Sequence, residues 1–322
     1  MVRNATNQLL QKAKKSKSDE FYTQLCDIER ELQYYPNCFI GKTVYCNCDN
    51  PHISNFFRYF VNNFRKLGLK KVIASCYVPT DNDLFHQETP QTGCYCEYTG
   101  YGDYKDLKVN YFKGNGDFRE KESINLLKQA DIVVTNPPFS LFREFVAQLV
   151  KYEKKFLIIG NVNAITYKEI FDLIQRDKAW LGVNLGRGIS GFIVPEHYKL
   201  YGTETKVNEY GQNIIATNGC LWLTNLENSQ RHEDINLTKT YKDNEEQYPT
   251  YDNCMGINVN RTQDIPKDYQ GLMGVPITFL HKYNPAQFEI VRFRKGDDGK
   301  DLRINGKCPY FRILIRNRRI GA

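Results

Sequence analysis

The sequence predicts an α/β protein with a Rossmann-like core on a parallel sheet, followed by a β-rich C-terminal extension. Strand-like and helix-like segments alternate from residue 43 to residue 160, as they do in βαβ units. The strand-like runs are continuously apolar, which is expected when both faces of a sheet are covered. After residue 226 a polar stretch gives way to separate strand-like runs. We expect three regions: a basic arm with a helix at 1–35, the core at 36–226 and the extension at 227–322.

Each element of the core follows from the spacing of apolar residues. The clearest helix is 53–67, where phenylalanines recur at helical spacing, and the helix over 140–152 has the same register. The other helices are expected over 19–35, 119–129 and 166–175. The strands of the core are expected over 42–48, 69–77, 109–112, 131–135, 155–160, 180–185, 190–194 and 220–226. In the extension, strands are expected over 274–280, 288–292 and 309–315.

The composition excludes several classes of protein. The chain has 322 residues and is 41% hydrophobic, yet no apolar run approaches the roughly 18 residues of a membrane span. The N-terminus has no secretory signal pattern, so we expect a cytoplasmic protein with reduced cysteines. Two Cys-X-Cys pairs, Cys46/Cys48 and Cys94/Cys96, leave a zinc site as an alternative. They lack the usual ligand spacing, and we expect no metal.

The positive charge lies at the two ends of the chain. The formal net charge is +7, and residues 292–322 alone hold ten basic and three acidic side chains. Basic ends on a near-neutral body favour a polyanionic partner. A basic tail that only keeps the protein soluble is the alternative. The candidate contacts to nucleic acid are Arg3, Lys12, Lys14, Lys15, Lys17, Arg187, Arg312 and Arg316.

The motif Asn-Pro-Pro-Phe at 136–139 is the most informative feature of the chain, and it directly follows an apolar run. The two prolines fix φ and remove two backbone donors, so the turn is stiff and rich in acceptors. The Asn136 side chain and the Pro137 carbonyl can both accept from one planar NH2 group, while Phe139 offers a ring face. This pattern favours methyl transfer to an exocyclic amine, with Asn136, Pro137, Pro138 and Phe139 as catalytic candidates. A rigid turn with Phe139 in the core is the alternative.

Two further turns are expected at the same rim of the sheet. Ligands of open parallel sheets bind beyond the carboxyl ends of the strands. The first turn, Cys46-Asn-Cys-Asp49, follows the first strand of the core, and the second is Gly116-Asp-Phe118. In the second turn, the Asp117 carboxylate can accept from an adenine amino group, and Phe118 can cover the ring. Both turns have common sequences, so the alternative is that each is an ordinary turn without a bound ligand. An adenosyl ligand between them would point its reactive end at residues 136–139.

These residues resemble the EcoRI-type adenine-N6 DNA methyltransferases. The order of 19–23 (Asp-Glu-Phe-Tyr-Thr), the strand at 43–48, Asp117-Phe118 and Asn136–Phe139 matches that family. Longer similar stretches lie at 3–7, 14–23, 140–143, 191–198, 274–282 and 306–312, so the resemblance covers essentially the whole chain. The glycine-rich turn of the broader class of adenine-N6 DNA methyltransferases is missing near 46–51.

The resemblance implies a monomeric enzyme that methylates adenine N6 within GAATTC, in duplex DNA, and so protects host DNA from a separate endonuclease. It implies S-adenosylmethionine as the cofactor, with the Phe-Tyr-Thr segment and the Asp-Phe pair in its pocket. The candidate cofactor-binding residues are Phe21, Tyr22, Thr23, Cys46, Asn47, Asp49, Asp117, Phe118 and Asn136.

Two rival functions remain open from the residues alone. An RNA or protein-glutamine methyltransferase would also hold a planar NH2 group. A DNA-binding module that has lost methyl transfer would explain the glycine-poor turn near 46–51. A comparison of methylation on duplex DNA, RNA and peptide tests the first rival. A measurement of S-adenosylmethionine binding tests the second.

Overall fold

The computed structural model describes residues 22–78, 92–102, 107–184, 189–194, 205–208, 210–215 and 219–319. The chain divides into two compact units. The first comprises Met1–Tyr167 and Asn184–Leu226, and the second comprises Lys168–Val183 and Glu227–Ala322. The segment 168–183 therefore belongs to the second unit, although it precedes the end of the first in the sequence.

The elements of the first unit follow the predicted alternation of strands and helices. In chain order they are β1 (Tyr22–Thr23), α1 (Leu25–Leu32), β2 (Thr43–Asn47), α2 (Asn55–Asn62), β3 (Lys71–Cys76), β4 (Cys94–Tyr98), β5 (Val109–Tyr111), α3 (Lys121–Gln129), β6 (Ile132–Thr135), α4 (Phe142–Lys151) and β7 (Lys155–Asn161). After the segment of the second unit, which contains α5 (Lys168–Gln175) and β8 (Trp180–Leu181), come β9 (Phe192–Ile193), β10 (Thr205–Val207), β11 (Asn213–Ile215) and β12 (Cys220–Thr224).

The main sheet of the first unit is parallel only at its centre. Its strands lie in the order β5-β4-β3-β2-β6-β7-β12, and β3, β2, β6 and β7 run parallel. The outer strands β4, β5 and β12 are antiparallel, so the prediction of a parallel sheet is wrong at the edges. In β4, buried Cys94 and Cys96 alternate with less buried residues, as in an antiparallel strand with one covered face. The apolar runs alone do not reveal strand direction.

A small antiparallel sheet in the order β1-β9-β11-β10 corrects the predicted helix over 19–35. Tyr22 pairs with Ile193 and Thr23 with Phe192, so these residues form a strand. Helix α1 begins only at Leu25. A two-residue strand leaves no periodicity in the sequence, and its partner lies far along the chain.

The core of the first unit is built on the phenylalanine-rich helix α2. Phe56, Phe57 and Phe60 are at most 1% exposed, and the edge of Phe56 meets Trp222 of β12 with ring centroids 6.0 Å apart. Ser54 caps this helix by accepting from the Phe57 amide. Helix α2 follows directly from β2, so its packing fixes the loop at the carboxyl end of that strand.

The second unit contains a five-stranded sheet in the order β13-β14-β15-β17-β16. Its strands are β13 (Thr250–Tyr251), β14 (Cys254–Asn258), β15 (Leu272–Pro276), β16 (Phe288–Phe293) and β17 (Arg312–Asn317). Only β14 and β15 pair in parallel. Helix α5 packs on this sheet through Phe171, which stacks on Phe293 with centroids 4.9 Å apart. The strands β13 and β14 lie in a stretch where the sequence indicated none, because both are short and polar residues surround them. Among the described residues, no helix is long and apolar enough to cross a membrane.

Candidate active site

The carboxyl ends of β2 and β6 lie side by side. The two strands pair in parallel, with Val44 opposite Ile132 and Tyr45 opposite Val133. The turn after β2 and the Asn-Pro-Pro-Phe turn after β6 therefore meet at one edge of the sheet. The third predicted turn joins them from β5, because the carbonyl of Asn115 accepts from the Val78 amide at 2.9 Å, just beyond β3. The structure thus brings all three turns together.

A hydrogen-bonded contact joins the turn after β2 to the end of β6. The hydroxyl of Thr135, the last residue of β6, lies 2.5 Å from Asp49 Oδ2 and also contacts the Asn47 carbonyl. Ser54 donates to Asp49 Oδ1 at 2.8 Å. Burial raises the pKa of Asp49 to about 7, although these hydrogen bonds oppose the shift. Sequence reasoning missed Thr135 and Ser54; only the N-cap position of Ser54 before α2 gave a signal for either.

The Asn-Pro-Pro-Phe turn has the stiff geometry that its sequence predicts. Pro138 has φ −60° and ψ 123°, and Phe139 then begins a short 3-10 helix, Phe139–Leu141. Asn136 is half-buried and Pro137 is buried. Phe139 is also half-buried, and the edge-to-face contact with Phe192 has centroids 6.1 Å apart. One part of the Phe139 ring therefore packs against the core while the residue keeps an accessible part.

Strand β1 places Thr23 near the same edge. The carbonyl of Thr23 accepts from Asn55 Nδ2 at 2.8 Å, at the first turn of α2. Thr23 Oγ1 and Asn47 Nδ2 are both buried, and neither has a hydrogen-bond partner among the described residues. Buried polar atoms without partners are rare in folded proteins and fit a site that a polar ligand completes. Tyr22 lies beside Thr23 in β1, whereas Phe21 lies outside the described residues.

The Asp117 turn has a more structural character than its sequence suggests. Asp117 pairs with Arg119 at 2.6 Å; burial opposes ionisation, but the hydrogen bonds from Arg119 outweigh it and lower the Asp117 pKa. Phe118 is 3% exposed and packs edge-to-face on Phe145 of α4, with centroids 5.1 Å apart. Gly116 has φ +81°, and a Cβ there would collide with the carbonyl of Cys76. The turn is thus held tightly against the end of β3.

The cysteines of the site are packed in the core. Burial raises the pKa of the Cys46 and Cys48 thiols well above the usual range, so both stay protonated. Cys76 and Cys94 are opposite each other on β3 and β4, with their sulfur atoms 3.2 Å apart. Within the part of the chain that the structure describes, no group of three or more His, Cys, Asp or Glu residues could hold a metal ion.

The predicted DNA-binding residues differ in their surroundings. Arg312 is 8% exposed, and its guanidinium donates to Asn258, to Asn260 and to the carbonyls of Tyr310 and Phe311. Arg316 is exposed and lies 3.4 Å from Glu289. The Arg312 guanidinium is therefore held by hydrogen bonds inside the second unit, whereas the Arg316 side chain is accessible to solvent. The candidates in the N-terminal arm and in the loop before β9 lie outside the described residues: Arg3, Lys12, Lys14, Lys15, Lys17 and Arg187.

Comparison with known proteins shows the family to which the chain belongs. The family model "Adenine-specific methyltransferase EcoRI" matches residues 9–318. The chain belongs to the EcoRI adenine-specific methyltransferase family. It is 64% identical to Type II methyltransferase M.EcoRI of Escherichia coli, over 99% of both chains. No solved structure gives a significant match.

Two further relatives are less similar to the chain. Type II methyltransferase M.MgeORF184P of Mycoplasma genitalium is 38% identical, over 96% of this chain and 98% of its own. Type II methyltransferase M.MpnI of Mycoplasma pneumoniae is 37% identical, over 95% of this chain and 97% of its own. The protein is therefore an adenine-specific DNA methyltransferase of the restriction-modification type, and the RNA, glutamine and binding-module alternatives are not favoured.

Proposed function

We propose that the protein transfers a methyl group from S-adenosylmethionine to N6 of an adenine in duplex DNA, within GAATTC. The observation that supports this proposal is the meeting of the β2 and β6 ends, where Thr135, the residue before Asn136, contacts Asn47 and Asp49. The target sequence follows the resemblance to EcoRI-type enzymes and the 64% identity to M.EcoRI.

The cofactor would occupy the edge of the sheet between the turns. Thr23 Oγ1 and Asn47 Nδ2 are the buried polar atoms available to a ligand there, and Asp117 lies in the adjacent turn. S-adenosylmethionine supplies a methyl group that is already strongly electrophilic, so the protein needs to contribute mainly position and electrostatics. The residues Phe21, Tyr22, Cys46, Asp49, Phe118 and Asn136 complete the proposed pocket.

The target adenine would leave the duplex to reach this edge, because its N6 is otherwise paired and stacked. The side-chain oxygen of Asn136 and the carbonyl of Pro137 would accept from N6 and orient its lone pair toward the methyl group. Extrusion costs a few kcal/mol, which stacking on Phe139 and contacts to the DNA backbone would offset. Pro138 keeps the backbone of this turn fixed while the base enters.

The three regions of the chain would have different tasks in methylation. Residues 36–226 would form the methyltransferase core, and residues 227–322 would read the DNA sequence. The basic arm at 1–35 would contact the phosphates of the duplex, since Lys and Arg neutralise them without regard to sequence. We further propose a cytoplasmic monomer that needs no metal and protects DNA from a separate endonuclease.

The deciding experiment incubates mixed-sequence DNA with the enzyme and S-adenosylmethionine and then maps N6-methyladenine. We expect methylation within GAATTC and none with Asn136→Ala, while that variant still binds DNA. Asn62→Ala, which changes an exposed asparagine at the last residue of α2, serves as the matched control and keeps its activity. Wild-type methylation by Asn136→Ala would refute the assignment of the site, and methylation outside GAATTC would refute the target.

A further inference from the structure

The buried carboxyl of Asp49 is held by hydroxyl groups alone. It is 7% exposed, Ser54 Oγ donates to Oδ1 at 2.8 Å, and Thr135 Oγ1 lies 2.5 Å from Oδ2. Ser54 in turn accepts from the Phe57 amide at 3.1 Å, so its own proton is directed to Asp49. Among the described residues, no Lys, Arg or His forms a salt bridge with Asp49. A buried carboxylate with no cation nearby is unfavourable.

Both oxygen contacts of the Thr135 hydroxyl are satisfied when the Asp49 carboxyl is neutral. Thr135 Oγ1 contacts two oxygen atoms, Asp49 Oδ2 and the carbonyl of Asn47. A threonine hydroxyl has one proton, and a carbonyl oxygen can only accept. If Thr135 donates to Asn47, the short contact with Asp49 needs a second proton. Only the carboxyl can provide it, as a neutral acid that donates to the threonine oxygen.

The other titratable groups close to Asp49 offer it no positive charge. The thiols of Cys46 and Cys48 lie on the same strand end, and the Asp117 carboxylate faces Cys48 from the neighbouring turn. None of these groups is a cation that would favour the ionised form. Burial raises the pKa of Asp49 to about 7, in agreement with the proton count.

We propose that Asp49 is a positioning residue that works as a neutral acid, tying the end of β2 to the end of β6 and thereby fixing the backbone that carries Asn136. The inference rests on the proposed role of Asn136. It adds a positioning role to the cofactor-binding role that the resemblance implies for Asp49. When Asp49 ionises, its carboxylate can only accept, so the Thr135 hydroxyl turns to donate to Asp49 and the Asn47 carbonyl loses its donor. The two strand ends then lose one of their connections beside the site.

The test compares kcat of the wild type and Asp49→Asn between pH 5.5 and 8.5. An asparagine has the same shape and can donate to Thr135 and accept from Ser54 without titrating. At pH 8 only about a tenth of an acid with a pKa of about 7 is protonated. We therefore expect the ratio of kcat for Asp49→Asn to kcat for the wild type to rise roughly tenfold between pH 5.5 and pH 8. Asp49→Ala, which removes donor and acceptor, should lose kcat at every pH.

Two results would overturn the inference. One is an Asp49→Asn profile that falls with pH in parallel with the wild type. The other is a rise in KM for S-adenosylmethionine at every pH with kcat unchanged, which indicates an ionised contact to the cofactor. Failure of the proposed function is distinguishable, because it appears as an active Asn136→Ala. If Asn136→Ala is inactive and Asp49→Asn follows the wild-type profile, only the role of Asp49 is refuted.

The pH dependence of thermal unfolding is an independent test of the protonation of Asp49. The pKa of folded Asp49 is raised from 3.8 to about 7, so its contribution to stability is present at low pH and lost as pH rises toward about 7. Asp49→Asn should thus gain melting temperature relative to the wild type from pH 5 to pH 8. A difference that does not change with pH would contradict a neutral acid at this position.

Discussion

Phe139 and Phe192 meet edge to face, with ring centroids 6.1 Å apart and ring planes at 62°. Phe139 ends the Asn-Pro-Pro-Phe turn, whereas Phe192 belongs to β9 and is fully buried. Phe192 also pairs with Thr23 of β1. This single aromatic contact therefore links the turn that carries Asn136 to the strand that carries a proposed cofactor residue, and it holds one edge of the Phe139 ring.

Replacement of Phe139 tests whether the accessible part of its ring stacks on the target base. Stacking of a base on an aromatic side chain contributes about 1–3 kcal/mol, so Phe139→Ala should lower kcat/KM by roughly 5- to 150-fold. Phe139→Trp keeps a stacking face and should retain most activity. Fluorescence of 2-aminopurine at the target position reports extrusion of the base. Phe192→Leu serves as the control for weakened packing. If Phe139→Ala lowers only the melting temperature, Phe139 is simply part of the core.

Replacement of Arg312 should reduce the unfolding free energy far more than replacement of Arg316, although both residues lie on β17. Arg312→Ala leaves the Asn258 side chain and two backbone carbonyls without their charged donor, so we expect a loss of about 3 kcal/mol in unfolding free energy. Arg316→Ala removes an exposed ion pair that contributes about 0.5 kcal/mol. Chemical denaturation measures both values. A fully stable Arg312→Ala that binds DNA weakly would show that Arg312 contacts DNA after all.

Gly116 and Gly102 form a matched pair for the turn beside β3. Both have positive φ, +81° and +87°, so alanine costs about 1–2 kcal/mol at either position. Only at Gly116 does the added Cβ also meet a backbone carbonyl, that of Cys76. Gly116→Ala should therefore shift the Asp117 turn and weaken binding of S-adenosylmethionine in calorimetry. Equal cofactor affinities of the two variants would place the cofactor away from this turn.

The lysines of the N-terminal arm should control the salt dependence of DNA binding. Changing Lys12, Lys14, Lys15 and Lys17 to Gln removes the positive charge from up to four phosphate-binding side chains. The slope of log affinity against log salt should decrease by about 0.9 for each phosphate that the variant no longer neutralises. Lys66→Gln, an exposed position in the first unit, is the control and should leave the slope unchanged. An unchanged slope in the fourfold variant would restrict the arm to a solubilising role.

Local patterns predicted much of the molecule. The phenylalanines of α2 and the apolar runs of β2, β6 and β7 indicated the alternating elements, because each pattern is contained within a few residues. The Asn-Pro-Pro-Phe turn was predictable for the same reason, since proline restricts its own φ and the residue before it. The domain boundaries and the roles of the site residues remain predictions.

Sequence by itself determined the family, the alternation of strands and helices in the core and the stiff turn at 136–139, since each of these depends on residues that are close together in the chain. Tertiary structure alone decided that Thr135 meets Asp49 across 86 positions of the chain and that Phe118 is buried against Phe145. It also decided that the Arg312 guanidinium donates to Asn258 on a strand of the same sheet. Periodicity reports which face of an element is apolar, but the partner of a polar or charged side chain is chosen by how distant segments pack.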